Sequence, residues 1–136
     1  MKVEIIKGDD QRVIKYVGKF AMNAKVLSEF YRYPIVTDEN HIWFLVFSGR
    51  KVVAFSAIKK TKNAIVFTSD FVVKEHRGKG FHKLMIKERM KWAEEHKHSF
   101  IKADCTKKGL KNYIEAKFIV NNEYKNWISV VYEKVS

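Results

Sequence analysis

Val72-Val73-Lys74-Glu75-His76-Arg77-Gly78-Lys79-Gly80-Phe81-His82 is the stretch on which the fold of this 136-residue chain turns. Before it, Ala64 to Val73 is rich in aromatic and β-branched residues and reads as a strand. After it, Met85, Ile86, Met90 and Ala93 fall on one side of a helix running to about Lys97, with Trp92 on its flank. Between them, two glycines free the backbone to turn with its N–H groups outward, at the positive end of the helix dipole. Such a helix start binds phosphate, and Arg77, Lys79 and Lys83 add full charges to it. The same residues also suit a glycine turn carrying solvated basic side chains. The spacing is neither a P-loop nor a complete dinucleotide fingerprint.

Working outward, Val3 and Ile5 alternate with charges and predict a short strand ending at Gly8. Asp9 and Asp10 offer cap oxygens for a helix with Val13, Val17, Phe20, Ala21 and Ala24 at helical spacing. A second helix is expected from Lys25 to Tyr33, ended by Pro34. His41 to Phe47 and Lys51 to Ile58 read as strands joined at Ser48-Gly49-Arg50, with Ala64 to Val73 completing a meander. Beyond the glycine loop and its helix, Ser99 to Cys105 is a strand and Leu110 to Lys117 a short helix. Phe118 to Asn122 and Trp127 to Glu133 form a closing antiparallel pair. The order β-α-α-β-β-β-α-β-α-β-β predicts one α+β domain over residues 1–136 with a single mixed sheet. The strands flanking the glycine-loop helix should be parallel, because a helix crossover joins them.

Composition narrows the function classes. An apolar fraction of 46% excludes a disordered basic tail. One cysteine, Cys105, leaves no internal disulfide, and the charged N-terminus lacks the apolar run of a signal peptide. A soluble, cytoplasmic protein, monomeric or homodimeric, is expected, with no membrane association. The formal charge is +12, but 22 of the 27 basic residues are Lys. Specific readers of nucleic acid favour Arg, whose planar fork meets phosphates and guanine edges bidentately. The excess is concentrated between Lys74 and Lys111, around the glycine loop. Nucleic acid therefore stays open as a partner without being required by the charge. His41, His76, His96 and His98 show no metal-ligand spacing, so no metal is expected.

The loop resembles the pyrophosphate-binding loop of the GNAT (GCN5-related) N-acetyltransferases, [Q/R]-x-x-G-x-[G/A]. Arg77, Gly78, Lys79 and Gly80 fit that pattern, with His82 at the last position in place of Gly or Ala. Asn112-Tyr113-Ile114-Glu115-Ala116-Lys117-Phe118 looks like the family's Y-x-x-x-G-F segment, with Lys117 in place of Gly. Element order agrees over nearly the whole chain.

The resemblance implies the acyl-CoA N-acyltransferase fold and acetyl-CoA as cosubstrate. It implies transfer to a primary amine carried by a small molecule, peptide or protein. In that family the strand before the loop splays from its parallel neighbour to admit CoA. Phe71 and Val72 would then hold the pantetheine arm through their backbone. Arg77, Gly78, Lys79, Gly80, Phe81, His82 and Lys83 would hold the pyrophosphate. Tyr113 matches the tyrosine that protonates the departing thiolate, a role that a phenol with a pKa near ~10 suits; a packed core tyrosine is the other reading. Asp70 is a candidate general base, with Asp104 as the other carboxylate and a water chain as a further route. Cys105 reads as a small buried hydrophobe. Phe20, Phe30, Tyr31, Tyr33 and Trp43 fall where the family builds its acceptor pocket. His82 is expected to crowd the pyrophosphate or, when protonated, to attract it. Two other functions fit the same residues: a DNA-modifying protein of the Mom type acting on bases, and a non-catalytic basic nucleic-acid-binding module.

Overall fold

A computed structural model describes residues 1–21 and 36–134. The expected helix from Lys25 to Tyr33 lies outside the described residues, as do Ala24, Phe30, Tyr31 and Tyr33. The elements are β1 (Lys2–Lys7), α1 (Gln11–Ala21), β2 (His41–Ser48), β3 (Lys51–Lys60) and β4 (Ile65–Val72). A 3₁₀ turn over Lys74–His76 follows, then α2 (Phe81–Glu95), β5 (Phe100–Cys105), α3 (Leu110–Glu115), β6 (Ile119–Glu123) and β7 (Ile128–Glu133). Apart from the undescribed helix, this is the predicted order.

The strands form one seven-stranded mixed sheet in the order β1-β2-β3-β4-β5-β7-β6. β4 and β5 are parallel, as the helical crossover requires, and the other described pairings are antiparallel. β2 and β3 lie mid-sheet and are buried on both faces, which accounts for their near-continuous apolar runs. On one face, Val13 and Val17 of α1 pack with Ile6, Trp43, Leu45, Phe55 and Phe71. On the other, Ile86 and Ala93 of α2 and Tyr113 of α3 pack with Ile58, Ile65, Phe67, Ile101 and Phe118.

Three local expectations are corrected. In β1 the buried residue is Ile6 rather than Ile5, which is 48% exposed. Successive side chains alternate faces; α1 covers the Ile6 face, whereas α2 packs over β2, β3 and β4 and leaves Ile5 open. The buried stripe of α2 is Phe81, Met85, Ile86, Arg89 and Ala93, with Met90 only half-buried. An arginine thus joins the buried side of the helix, and Met90 packs against the core from its edge. Finally, α2 stops at Glu95 because Lys97 adopts a left-handed φ of 60°. The amides of Lys97 and His98 close back on the carbonyls of Glu94 and Ala93, a Schellman cap.

α3 ends the same way. Lys117, at φ 74°, donates its amide to Ile114, and Phe118 donates to Tyr113. The rings of Phe118 and Tyr113 make the accompanying apolar contact at 5.1 Å. Lys117 stands where the Y-x-x-x-G-F pattern has glycine, and its backbone holds the conformation glycine adopts most readily.

Candidate active site

β4 is interrupted by a bulge. Phe55 pairs with Phe71 and Ala57 with Thr68, so Ser69 and Asp70 together oppose Ser56. Ser69 absorbs the extra residue at a left-handed φ of 60°. One inserted residue reverses which face each following side chain meets. Phe67 therefore faces α2 and α3, Phe71 joins the core beneath α1, and Asp70 is directed towards α2 and α3. The bulge also marks where β4 leaves its parallel neighbour. Pairing with β5 runs through Ile65, Val66 and Phe67 and goes no further, while β5 continues to Cys105 against β7. The splay that the resemblance implies is present.

At the end of β4 the glycine loop delivers the chain to α2. Gly78 and Gly80 hold φ values of 75° and 89°, and a Cβ built on either meets no atom within 4 Å. Gly80 caps α2 without a side-chain hydrogen bond. Among the described residues, no backbone hydrogen bond engages the amides of Gly78, Lys79 or Gly80. The loop thus leaves three backbone amides without a backbone partner at a helix N-terminus, beside the basic residues Arg77 and Lys79. Arg77 folds back so that its Nε donates to the Val72 carbonyl at 3.0 Å.

His82 departs from expectation. Its imidazole does not crowd the loop; it is turned inward, with the side chain 20% exposed. Its Nε2 lies 2.9 Å from Asp70 Oδ2 and its Nδ1 2.9 Å from Asn112 Nδ2. The reason is the largely enclosed charge on Asp70, whose side chain is 19% exposed and which Arg89 and Tyr113 also approach. Arg89 Nη1 approaches Oδ1 at 2.7 Å, and the Tyr113 hydroxyl donates to Oδ2 at 2.5 Å.

Arg89 is fully buried, and no sequence reasoning identified it. Its Nη2 donates to Tyr113 Oη, Nη1 to the Ala57 carbonyl and Nε to the Met85 carbonyl. Its guanidinium also lies over the Phe67 ring at 4.4 Å. The available signal was its place four residues after Met85, on the apolar side of the helix, where arginine is out of character. Asn112 carried no comparable signal.

This cluster sets the ionisation of its members. Burial alone would raise the Asp70 pKa, but the Arg89 charge, then His82, then the Tyr113 hydroxyl outweigh it and hold the carboxyl well below its usual range. A carboxylate in that state is a poor proton acceptor, contrary to its expected role as base. Burial pushes the Tyr113 hydroxyl well above the ordinary phenol value, so it is protonated at neutral pH. Asp104, on the exposed side of β5, is raised by partial burial. Cys105 is buried, and burial pushes its thiol up to about 11, with smaller contributions from Asp70 and Asp104.

The remaining sequence candidates separate. Phe71 is buried beneath α1 and Val72 half-buried beside α2. Phe81 is buried, and Lys83 pairs with Glu115 across α2 and α3 at 2.7 Å. Of the proposed pocket aromatics, Trp43 is a core residue, and Phe20 packs on Phe55 and Phe71. Among the described residues there is no group of three or more His, Cys, Asp or Glu able to hold a metal. No described helix is long and apolar enough to cross a membrane.

No protein-family model matches the chain, and no curated protein matches it in sequence. Solved structures do match. The N-acetyltransferase PseH of Campylobacter jejuni, in complex with acetyl coenzyme A, has a TM-score of 0.67 at 17% identity, over 98% of this chain and 100% of that one. ElaA of Escherichia coli has a TM-score of 0.78 at 14% identity, over 98% of this chain and 100% of that one. The spermidine N-acetyltransferase of Vibrio cholerae, in complex with CoA and spermine, has a TM-score of 0.73 at 13% identity, over 96% and 95%. At these identities the likeness establishes a shared fold.

Proposed function

We propose that this chain, which has the GNAT acyl-CoA N-acyltransferase fold, transfers an acetyl group from acetyl-CoA to a primary amine. The observation that carries the reading is the meeting of two features at the end of β4. A bulged strand parts there from its parallel neighbour, and a left-handed glycine loop presents free amides at the start of α2. Space over Gly78 and Gly80 that a Cβ would enter, together with the uncapped helix N-terminus, suits a pyrophosphate. Solved relatives of this fold carry acetyl coenzyme A, or CoA with spermine, which is consistent with that ligand class.

On this reading the amides of Gly78 to Lys83 hold the pyrophosphate, with Arg77 and Lys79 beside it. The backbone of Phe71 and Val72 borders the pantetheine. Acetyl-CoA supplies an activated thioester carbon, which a neutral amine attacks with release of CoA thiolate. Tyr113 is fully buried and its proton is held by Asp70 Oδ2, so to neutralise the thiolate the hydroxyl must leave that bond, with Arg89, 3.2 Å from Oη, stabilising the tyrosinate left behind. Asp70 keeps its negative charge and holds the hydroxyl in place before the transfer. Asp104, exposed and with a raised pKa, is the better carboxylate to take the proton of the amine.

The test is a panel of polyamine, amino-sugar and peptide amines assayed for acetyl-CoA-dependent thiol release. Tyr113→Phe should lower kcat on the order of 100-fold with the KM for acetyl-CoA little changed. Unchanged turnover would remove Tyr113 as the acid.

A further inference from the structure

His82 sits in the loop but does its bonding elsewhere. Its ring reaches Asp70 on β4 through Nε2 and Asn112 on α3 through Nδ1, and it stands edge-on to the Tyr113 ring at 5.5 Å. Room for the ring comes from Gly109, just before α3. A Cβ there would lie 3.3 Å from His82 Cε1, while the Gly109 backbone, at φ −79° and ψ −17°, is one that any residue adopts. A side chain there would press on both the imidazole and Thr106, each of which would have to give by a few tenths of an ångström. With the Asn112 amide donating into Nδ1, the neutral ring carries its proton on Nε2 and donates it to Asp70. The oxygen that receives it, Oδ2, is the same atom that receives the Tyr113 hydroxyl.

We propose that His82 is a positioning residue that acts through Asp70 on Tyr113, making the first turn of α2 and the buried Tyr113 hydroxyl one mechanical unit. The inference rests on the acyl-transfer reading for its catalytic consequence. Two donors converging on Oδ2, with Arg89 on Oδ1, leave the carboxylate one orientation, and the hydroxyl then has one acceptor in one place. Without the imidazole, Asp70 is free to turn towards Arg89, and the hydroxyl loses its fixed direction. Misplacement of a proton donor by about 1 Å is enough to cost ~100-fold in rate.

Two measurements test this. The first is an unfolding cycle in urea on His82→Ala, Tyr113→Phe and the double variant, which needs no activity. Coupling through a shared oxygen should make the unfolding constants non-additive by about 5-fold or more; additivity would overturn the proposal. The second is steady-state kinetics on His82→Ala and His82→Gln, the latter keeping an Nε2–H donor. Alanine should lower kcat by about 10-fold or more with the KM for acetyl-CoA within ~3-fold, and glutamine should recover most of it. An effect confined to KM would mean that the ring acts on the phosphates directly, and glutamine no better than alanine would exclude the Nε2–H donor; either overturns the proposal. A coupled cycle in a chain inert towards acetyl-CoA would refute the acyl-transfer reading while leaving the coupling standing.

Discussion

Replacing Arg89 by Met removes a fully buried cation from a half-buried carboxylate while nearly preserving volume. Asp70 would then keep its enclosure and the hydrogen bonds of His82 and Tyr113 without the cation, and the carbonyls of Ala57 and Met85 would lose a donor. Breaking a buried pair from one side costs about 3–5 kcal/mol, a large part of the 5–15 kcal/mol typical of a domain. With a urea m-value of about 2 kcal/mol/M, the midpoint at pH 7 should fall by about 2 M. The pH dependence identifies the cause. In the wild type the Asp70 pKa is depressed, so its contribution is complete above the unfolded value near ~3.9 and fades only as pH falls below it. In Arg89→Met, burial is no longer outweighed and the pKa rises above that value. The variant's deficit should therefore be greatest at pH 7 and shrink towards pH 4.5, where the carboxyl takes a proton. Adding Asp70→Asn should restore more than half of the loss at pH 7. A deficit below about 1 kcal/mol, or one independent of pH, would refute the electrostatic account of the cluster.

Three further outcomes follow from local geometry. Lys117→Gly relieves a left-handed lysine and should raise stability by about 1 kcal/mol, or ~3 °C in Tm by calorimetry; a lower Tm would contradict the cap. Cys105, with its thiol pushed up to about 11, should carry ~100-fold less thiolate at pH 8 than an ordinary thiol. A chromogenic disulfide should thus react slowly with folded protein and rapidly in urea, and rapid reaction in both would sink the assignment. The Ser56 hydroxyl is buried with no partner among the described residues, so Ser56→Ala should be neutral or stabilising by up to about 1 kcal/mol in urea unfolding. A clear loss would show that the hydroxyl is bonded after all.

Much of this was legible in the sequence because periodicity and turn chemistry act locally. The β-branched runs, Gly78 and Gly80, and the helical spacing of Met85, Ile86 and Ala93 placed the meander, the loop and α2. Asp70, Tyr113 and the loop residues fall on the strand, the short helix and the turn expected of them, but the hydrogen bonds among them could not be read. The bulge at Ser69 leaves no mark of glycine or proline, so the direction of Asp70 and the parity shift that buries Phe71 beneath α1 could not be read. Arg89 was not singled out, because arginine is seldom buried; only three-dimensional pairing with Asp70 makes its place tolerable. His82 was read by its position in the loop, whereas a carboxylate twelve residues earlier in the chain decides where its ring points.

The central claim, that the loop and the splayed strand hold an acyl-CoA, is tested most directly by titration calorimetry with acetyl-CoA, alone and against CoA or duplex DNA. The account predicts one site per chain, competition by CoA and no displacement by DNA at moderate salt. Ligand at about 100 times Kd should also raise stability by ~2.7 kcal/mol, or about 9 °C in Tm. No heat and no thermal shift with acetyl-CoA, together with DNA binding that weakens steeply with salt, would contradict it and favour a basic nucleic-acid-binding module.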